Sequence, residues 1–181
     1  MNTDKASLAF HGKTQSLYCF ELLGQFCEKV FFSSRKEQEG REELKNLAHI
    51  YDHPDFNGAG PLAGILSAFK QFPQSPWLVL ACDLPFVDFD TIKYLIENRN
   101  LEKTATAYHS AHDGLPEPLC AIFEPQSYPL LIEDFHNNKL CPRKFLIHHE
   151  PQMVNLKNKM ALDNVNSPDE LAQAVKLINP S

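Results

Sequence analysis

Asp83 has the setting in this chain that most invites chemistry. It directly follows a nearly unbroken apolar run, Trp77-Leu-Val-Leu-Ala-Cys, and is followed by Leu84 and Pro85. A proline lacks the N–H that a strand ladder needs, so the strand must stop there and the carboxylate emerges at its carboxyl end. A carboxylate so placed suits Mg²⁺, which takes carboxylate, water and phosphate oxygens. A turn or helix-capping aspartate has the same local pattern. Asp52 closes a second short apolar segment, residues 48–51, and precedes Asn57-Gly-Ala-Gly60-Pro61-Leu62-Ala63-Gly64. Glycines let backbone N–H groups approach a ligand closely, and the helix expected from Pro61 turns the positive end of its dipole toward that loop. A plain glycine-rich strand–helix connection reads the same way. Lys5, beside Asp4, offers a cation of the kind that neutralises phosphate charge, or is simply an exposed terminal charge. Asp163-Asn164-Val165-Asn166-Ser167-Pro168 offers short polar side chains for a polar ligand, or for a turn and a helix cap.

Weaker clusters read as ordinary solvated side chains. His49 and His53 have i, i+4 spacing, with Asp52 and Asp55 nearby, but a strand and turn are expected there and not a helix. His109, His112 and Asp113 sit around a glycine turn, and His148-His149-Glu150 ends a helix. The five cysteines are odd in number and lack CxxC spacing, which argues against a zinc site or a disulfide framework. Cys82, next to Asp83, has no identifiable base beside it and reads as an inert thiol.

The elements that must position these residues alternate along the chain. Helical spacing of apolar residues covers 17–27, 61–72, 88–98, 126–135 and 142–148, with a last helix from Ser167 and Pro168. Strands are expected at 29–33, 48–51, 77–82, 105–108, 119–123 and 153–156. The run 77–82 suits a strand buried on both faces. Alternation of this kind implies an α/β fold with a mostly parallel sheet between two helix layers, and ligands bind at the carboxyl ends of such strands.

Bulk properties bound the reading. Apolar residues make up 43% and charged residues 22% of 181, enough for one compact domain over 1–181. The net charge of -6 argues against a general nucleic-acid binder. No apolar run approaches the ~20 residues that span a bilayer, and the first residues carry no apolar signal region, so a cytoplasmic location without membrane contact is expected.

Taken together and in order, these motifs are similar to those of the molybdenum cofactor guanylyltransferase family, the MobA-like proteins. The match runs from Asp4-Lys5 and Gly12-Lys13, through Asp52 and Gly60-Pro-Leu-Ala-Gly64, to Cys82-Asp83-Leu84-Pro85 and Glu117-Pro118-Leu119. It continues with Pro142-Arg143-Lys144 and Asn164-Val165-Asn166-Ser167-Pro168. The resemblance implies a Rossmann-like nucleotidyltransferase domain, a three-layer sandwich that moves GMP from GTP onto molybdenum-bound molybdopterin and releases pyrophosphate. It implies Lys5 and Asp83 as catalytic residues, with Mg²⁺ on Asp83. Asp52 and Gly60, Pro61, Leu62, Ala63 and Gly64 would lie around the nucleotide, and Arg143, Asn164 and Asn166 would face the pterin. GTP, the molybdopterin cofactor and other proteins of that cofactor's biosynthesis are the implied partners.

The sequence departs from the family at its beginning. The family opens with an apolar strand and a Gly-Gly-x-Ser-x-Arg-Met-Gly loop, and neither has a counterpart in residues 1–181. That strand is central in the sheet, so its neighbours are expected to lose a ladder partner. A gene start upstream of Met1 is expected, with poor transferase activity for residues 1–181 alone. A nucleotide- or cofactor-binding module without catalysis is the alternative, as is a related transferase using CTP or a sugar phosphate.

Overall fold

A computed structural model describes residues 12–34, 45–165 and 168–178. The elements run α1 (Gln15–Leu23), β1 (Phe32–Ser34), β2 (His49–Tyr51), a 3₁₀ turn (Pro54–Phe56), α2 (Pro61–Gln71), β3 (Trp77–Leu80), α3 (Phe89–Glu97) and β4 (Ala105–His109). β5 (Pro116–Phe123), α4 (Ser127–His136), α5 (Pro142–His148), β6 (Gln152–Val154) and α6 (Pro168–Ile178) complete the order. Local signals explain several boundaries. Pro61 and Pro142 open α2 and α5 at positions where a missing N–H costs nothing. The Asp88 carboxylate accepts from the Thr91 N–H at 2.8 Å and caps α3. The helix expected over 17–27 is shifted toward the N-terminus, to Gln15–Leu23, and unwinds through turns that carry the chain to Cys27.

Among the described residues, two sheets form where one was expected. β1 and β2 pair in parallel, and β3-β5-β4-β6 make a four-stranded sheet. Within the larger sheet β4 and β6 are parallel, while β5 runs against both β3 and β4. β3, β4 and β6 therefore share one direction, and β5 is the reversed strand. β5 begins at Pro116, three residues earlier than the apolar pattern suggests, and its prolines lie where the β4 register shifts between Ala107 and His109.

Alternation along the strands separates two cores, as a three-layer sandwich requires. Ala105, Ala107, Ala121 and Phe123 face α2, α4 and α5, where Leu62, Leu66, Phe69, Leu131, Phe145 and Leu146 fill the space. Leu78, Leu80, Tyr108, Cys120, Ile122 and Val154 face α1 and α3, against Leu22, Ile92 and Leu95. The three small alanines let the first helix layer approach closely.

β3 departs from the sequence expectation. Its four apolar residues are only half-buried, although the run suits a strand covered on both faces. The cause is lateral. Among the described residues β3 has a partner on one edge, β5, and β1 has a partner on one edge, β2. The open edges of β3 and β1 border a common hollow of about 520 Å³.

Candidate nucleotide site

The hollow between the two sheets has a polar mouth and an apolar interior. Asp83, Asp52, Gly60, Ser33, Ser34 and Ser16 line it, together with Ile65, Ala68 and the whole of β3. Asp83 follows β3 by three residues, and Asp52 follows β2 directly. Both carboxylates thus stand at strand carboxyl ends, one on each side of the gap, where α/β folds bind their ligands. Two carboxylates on one hollow are the donor type and number that Mg²⁺ accepts when the remaining positions are filled by water and phosphate. No group of three or more metal-ligating side chains occurs among the described residues.

Glycine has two separate uses beside the mouth. Gly58 and Gly60 hold φ of 84° and 57°, a backbone region that disfavours any residue with a Cβ. Gly64 is helical, but a Cβ there would lie 2.5 Å from the Ser33 hydroxyl oxygen and 3.8 Å from an Asp52 carboxylate oxygen. The glycine lets α2 press onto β1 and brings the Asp52 carboxylate against the helix. Gly60, Pro61 and Gly64 reach the hollow. Leu62 and Ala63, expected around the nucleotide, instead point into the core at 1% and 3% exposure. Their N–H groups already bond the Ala59 and Gly60 carbonyls. A helix packs through residues at i, i+3 and i+4 spacing, and Leu62 and Ala63 begin the buried face that Ile65, Leu66 and Phe69 continue.

The polar run before α6 is tied to the same place. The Val165 N–H donates to the Asp83 carbonyl at 3.3 Å. Asp163 meets His112 at 2.9 Å, and Arg143 reaches Asp113 at 3.2 Å and Glu117 at 2.7 Å. A chain of contacts therefore runs from Arg143 through the 110–115 loop to Asn164, which is exposed, and on to the Asp83 backbone. Arg143 does not line the hollow itself; its guanidinium is held by two carboxylates beside it. The Leu115 N–H, ahead of Ser110 and Arg143, holds the Asp113 carboxyl below the usual range. Lys5, Asn166 and Ser167 lie outside the described residues.

Sequence reading missed Gln15 and Ser33. Gln15 is fully buried under the 83–87 turn and donates to the Leu84 carbonyl at 3.2 Å. A glutamine opening a helix carries no signal of such a contact. Cys19 and Cys120 are buried and their thiols are pushed up to about 12, chiefly by burial, so neither is a nucleophile at neutral pH. All five cysteines are free thiols, and Cys141 is the exposed one.

The sequence profile described as the MobA-like NTP transferase domain matches residues 1–152. The chain belongs to the MobA-like NTP transferase family. A Synechocystis protein named "Molybdenum cofactor biosynthesis bifunctional protein" is 32% identical over 173 residues, which cover 96% of this chain and 49% of the relative. The chain thus spans about half the length of that protein. A Trichormus variabilis "Probable molybdenum cofactor guanylyltransferase" is 31% identical over 175 residues, 95% of this chain and 83% of the relative. Among solved structures, the molybdopterin-guanine dinucleotide biosynthesis protein A of Archaeoglobus fulgidus superposes with a TM-score of 0.77 at 22% identity, covering 97% of this chain and 91% of that one. The 2-C-methyl-D-erythritol 4-phosphate cytidylyltransferase of Thermus thermophilus superposes at 0.69 and 13% identity, over 96% and 93% of the two chains. These likenesses agree with the three-layer nucleotidyltransferase fold of this MobA-like chain. No helix among the described residues is long and apolar enough to cross a membrane.

Proposed function

We propose that this MobA-like chain binds GTP with Mg²⁺ at the mouth of the hollow and serves GMP transfer to the molybdopterin cofactor. The observation that carries the reading is the meeting of Asp83, Asp52 and the Gly60–Pro61–Gly64 turn around one hollow at the strand ends. The relatives' names supply the nucleotide and the acceptor class.

In this reading Asp83, with Asp52 lining the same hollow, would hold Mg²⁺, which would supply positive charge to offset that of the triphosphate. Lys5 supplies a further positive charge at the phosphates. The acceptor is a phosphate and is already anionic, so the protein has little proton transfer to perform. Its contribution is to align the acceptor with the α-phosphate and to hold charges in place. Asn164 belongs to the acceptor side because its segment is tied to the Asp83 backbone through Val165, and the family resemblance gives Asn166 the same role. Arg143 joins them once its carboxylate partners yield to a phosphate.

Binding is the measurement that tests this. Titrating the chain with GTP, CTP or a sugar phosphate, each with Mg²⁺, should give a rise in Tm with GTP that chelation of Mg²⁺ removes. A rise with CTP and none with GTP would overturn the substrate assignment.

A further inference from the structure

We propose that Gln15 and Tyr18 are positioning residues: from one face of α1 they grip the turn that carries Asp83 and hold its carboxylate at the mouth of the hollow. The inference rests on the proposed function, because a fixed carboxylate matters through the metal and nucleotide it would meet.

Residues 82–87 join β3 to α3 as turns, outside any strand or helix ladder. Their fixed points come from distant parts of the chain. The Val165 N–H donates to the Asp83 carbonyl at 3.3 Å. The Gln15 side-chain amide donates to the Leu84 carbonyl at 3.2 Å, and the Tyr18 hydroxyl donates to the Val87 carbonyl at 3.0 Å. The turn's own bond, from the Val87 N–H to the Leu84 carbonyl, is longer at 3.4 Å. A peptide unit is planar, so a held carbonyl fixes the plane it belongs to. Val165 thus fixes the peptide that follows Asp83, Gln15 fixes the next one, and Tyr18 fixes the exit of the turn. Gln15 and Tyr18 stand at i, i+3 spacing and share a face of α1. Apolar packing acts in the same sense. Leu84 and Val87 are buried with Leu22 and Leu23 of α1, and Phe86 packs on Val165 and Ala174. The turn is clamped between α1 and the segment that leads into α6.

Packing alone does not call for a glutamine at position 15. The residue is fully buried, and its Oε1 has no partner. Its Nε2 also lies 3.5 Å from the Cys19 sulfur, a weak acceptor. An unsatisfied buried acceptor is destabilising, and a methionine would fill a similar volume without one. What the amide adds is the donor to Leu84. Its one good bond therefore goes to the residue next to a strand-end carboxylate. Groups that orient a metal-binding side chain govern how well that side chain holds the ion.

Gln15→Met keeps the volume and removes the donor, and Tyr18→Phe removes only the hydroxyl. Each is compared with the parent as the full 181-residue chain. The readings are Tm and amide exchange at Val165, both without nucleotide, and the Mg²⁺ concentration that gives half-maximal GTP binding. Gln15→Met should leave Tm nearly unchanged, speed exchange at Val165 and raise the Mg²⁺ midpoint about tenfold, the low end for loss of a group that orients a metal-binding side chain. Excess Mg²⁺ should restore its GTP binding. Tyr18→Phe should move the midpoint the same way by less, because its bond lies farther from Asp83. A midpoint equal to the parent's in both variants, or a fall in Tm with the midpoint unmoved, would overturn the proposal and leave Gln15 a packing residue. If Gln15→Met does not fold, Tyr18→Phe decides by the same readings. A parent chain that does not bind GTP with Mg²⁺ removes the proposed function instead. Exchange at Val165 then still decides whether α1 holds the turn, and an unchanged rate overturns that.

Discussion

The backbone carbonyl of Asp83 accepts the N–H of Val165 at 3.3 Å, across 82 positions of sequence. This bond joins the strand that carries the proposed metal-binding carboxylate to the segment that carries Asn164. The two ends of the proposed reaction, nucleotide and acceptor, are therefore held together by one backbone contact.

Asp83→Asn and Asp52→Asn remove one charge each from the mouth without changing size. Each should weaken Mg²⁺-dependent GTP binding by about tenfold or more, equivalent to about 1.4 kcal/mol. Calorimetric titration with and without Mg²⁺ measures this; unchanged affinity in Asp83→Asn would remove it from the site.

Gly64→Ala should destabilise the fold by about 1–3 kcal/mol, the usual cost of forcing atoms into a packed contact. Its Cβ would sit 2.5 Å from the Ser33 hydroxyl oxygen. Ser33→Gly removes that oxygen, so the double variant should recover most of the loss. Urea midpoints of the four proteins give the coupling energy.

Arg99 binds Glu124 through two bonds of 2.6 and 2.7 Å, and Glu124 is 2% exposed. Arg99→Ala strands that carboxylate and should cost about 3 kcal/mol, the low end for a broken buried pair, because the Arg99 side chain is itself 30% exposed and screened. Pairing Arg99→Met with Glu124→Leu should cost much less, and urea unfolding of both proteins decides it.

Thiol chemistry separates the cysteines. Iodoacetamide at pH 8 should label exposed Cys141 first and spare Cys19 and Cys120 until the chain unfolds. Their raised pKa also sets a pH dependence. Burial keeps both thiols neutral to about 12, so their contribution is complete below the ordinary value of 9.0 and is lost as pH rises from there toward 12. Cys120→Ala should flatten the alkaline fall in stability measured by urea titration.

Arg143→Ala should release the 110–115 loop, since Arg143 holds Asp113 and Glu117 from α5. Asp113 has a lowered pKa, so the loop's anchoring is present above the ordinary carboxylate value and is lost as pH falls through the depressed one. Amide exchange at Leu115, whose N–H binds Asp113 at 3.0 Å, should speed up in Arg143→Ala at neutral pH and in the parent chain under acid.

Legibility in the sequence tracked the range of the interactions. Pro61, Asp88 and Pro142 marked helix starts because capping and proline chemistry act within a few residues. Asp83 and Asp52 were readable as strand-end carboxylates because an apolar run that forms a strand places the next polar residue at its tip.

Tertiary structure alone decided the rest. Gln15 lies 69 positions from Leu84, and Gly64 lies 31 from Ser33, so no local pattern reports either contact. The reversal of β5 against both β3 and β4 is a matter of how the chain returns to the sheet, which its apolar letters do not encode. Leu62 and Ala63 look like loop residues in the motif, yet the pitch of α2 turns them into the core. Residue types set which groups can bond or be buried; the packing of helices against two half-sheets selects which of them do, because burial and ladder pairing depend on distances that the linear order does not contain.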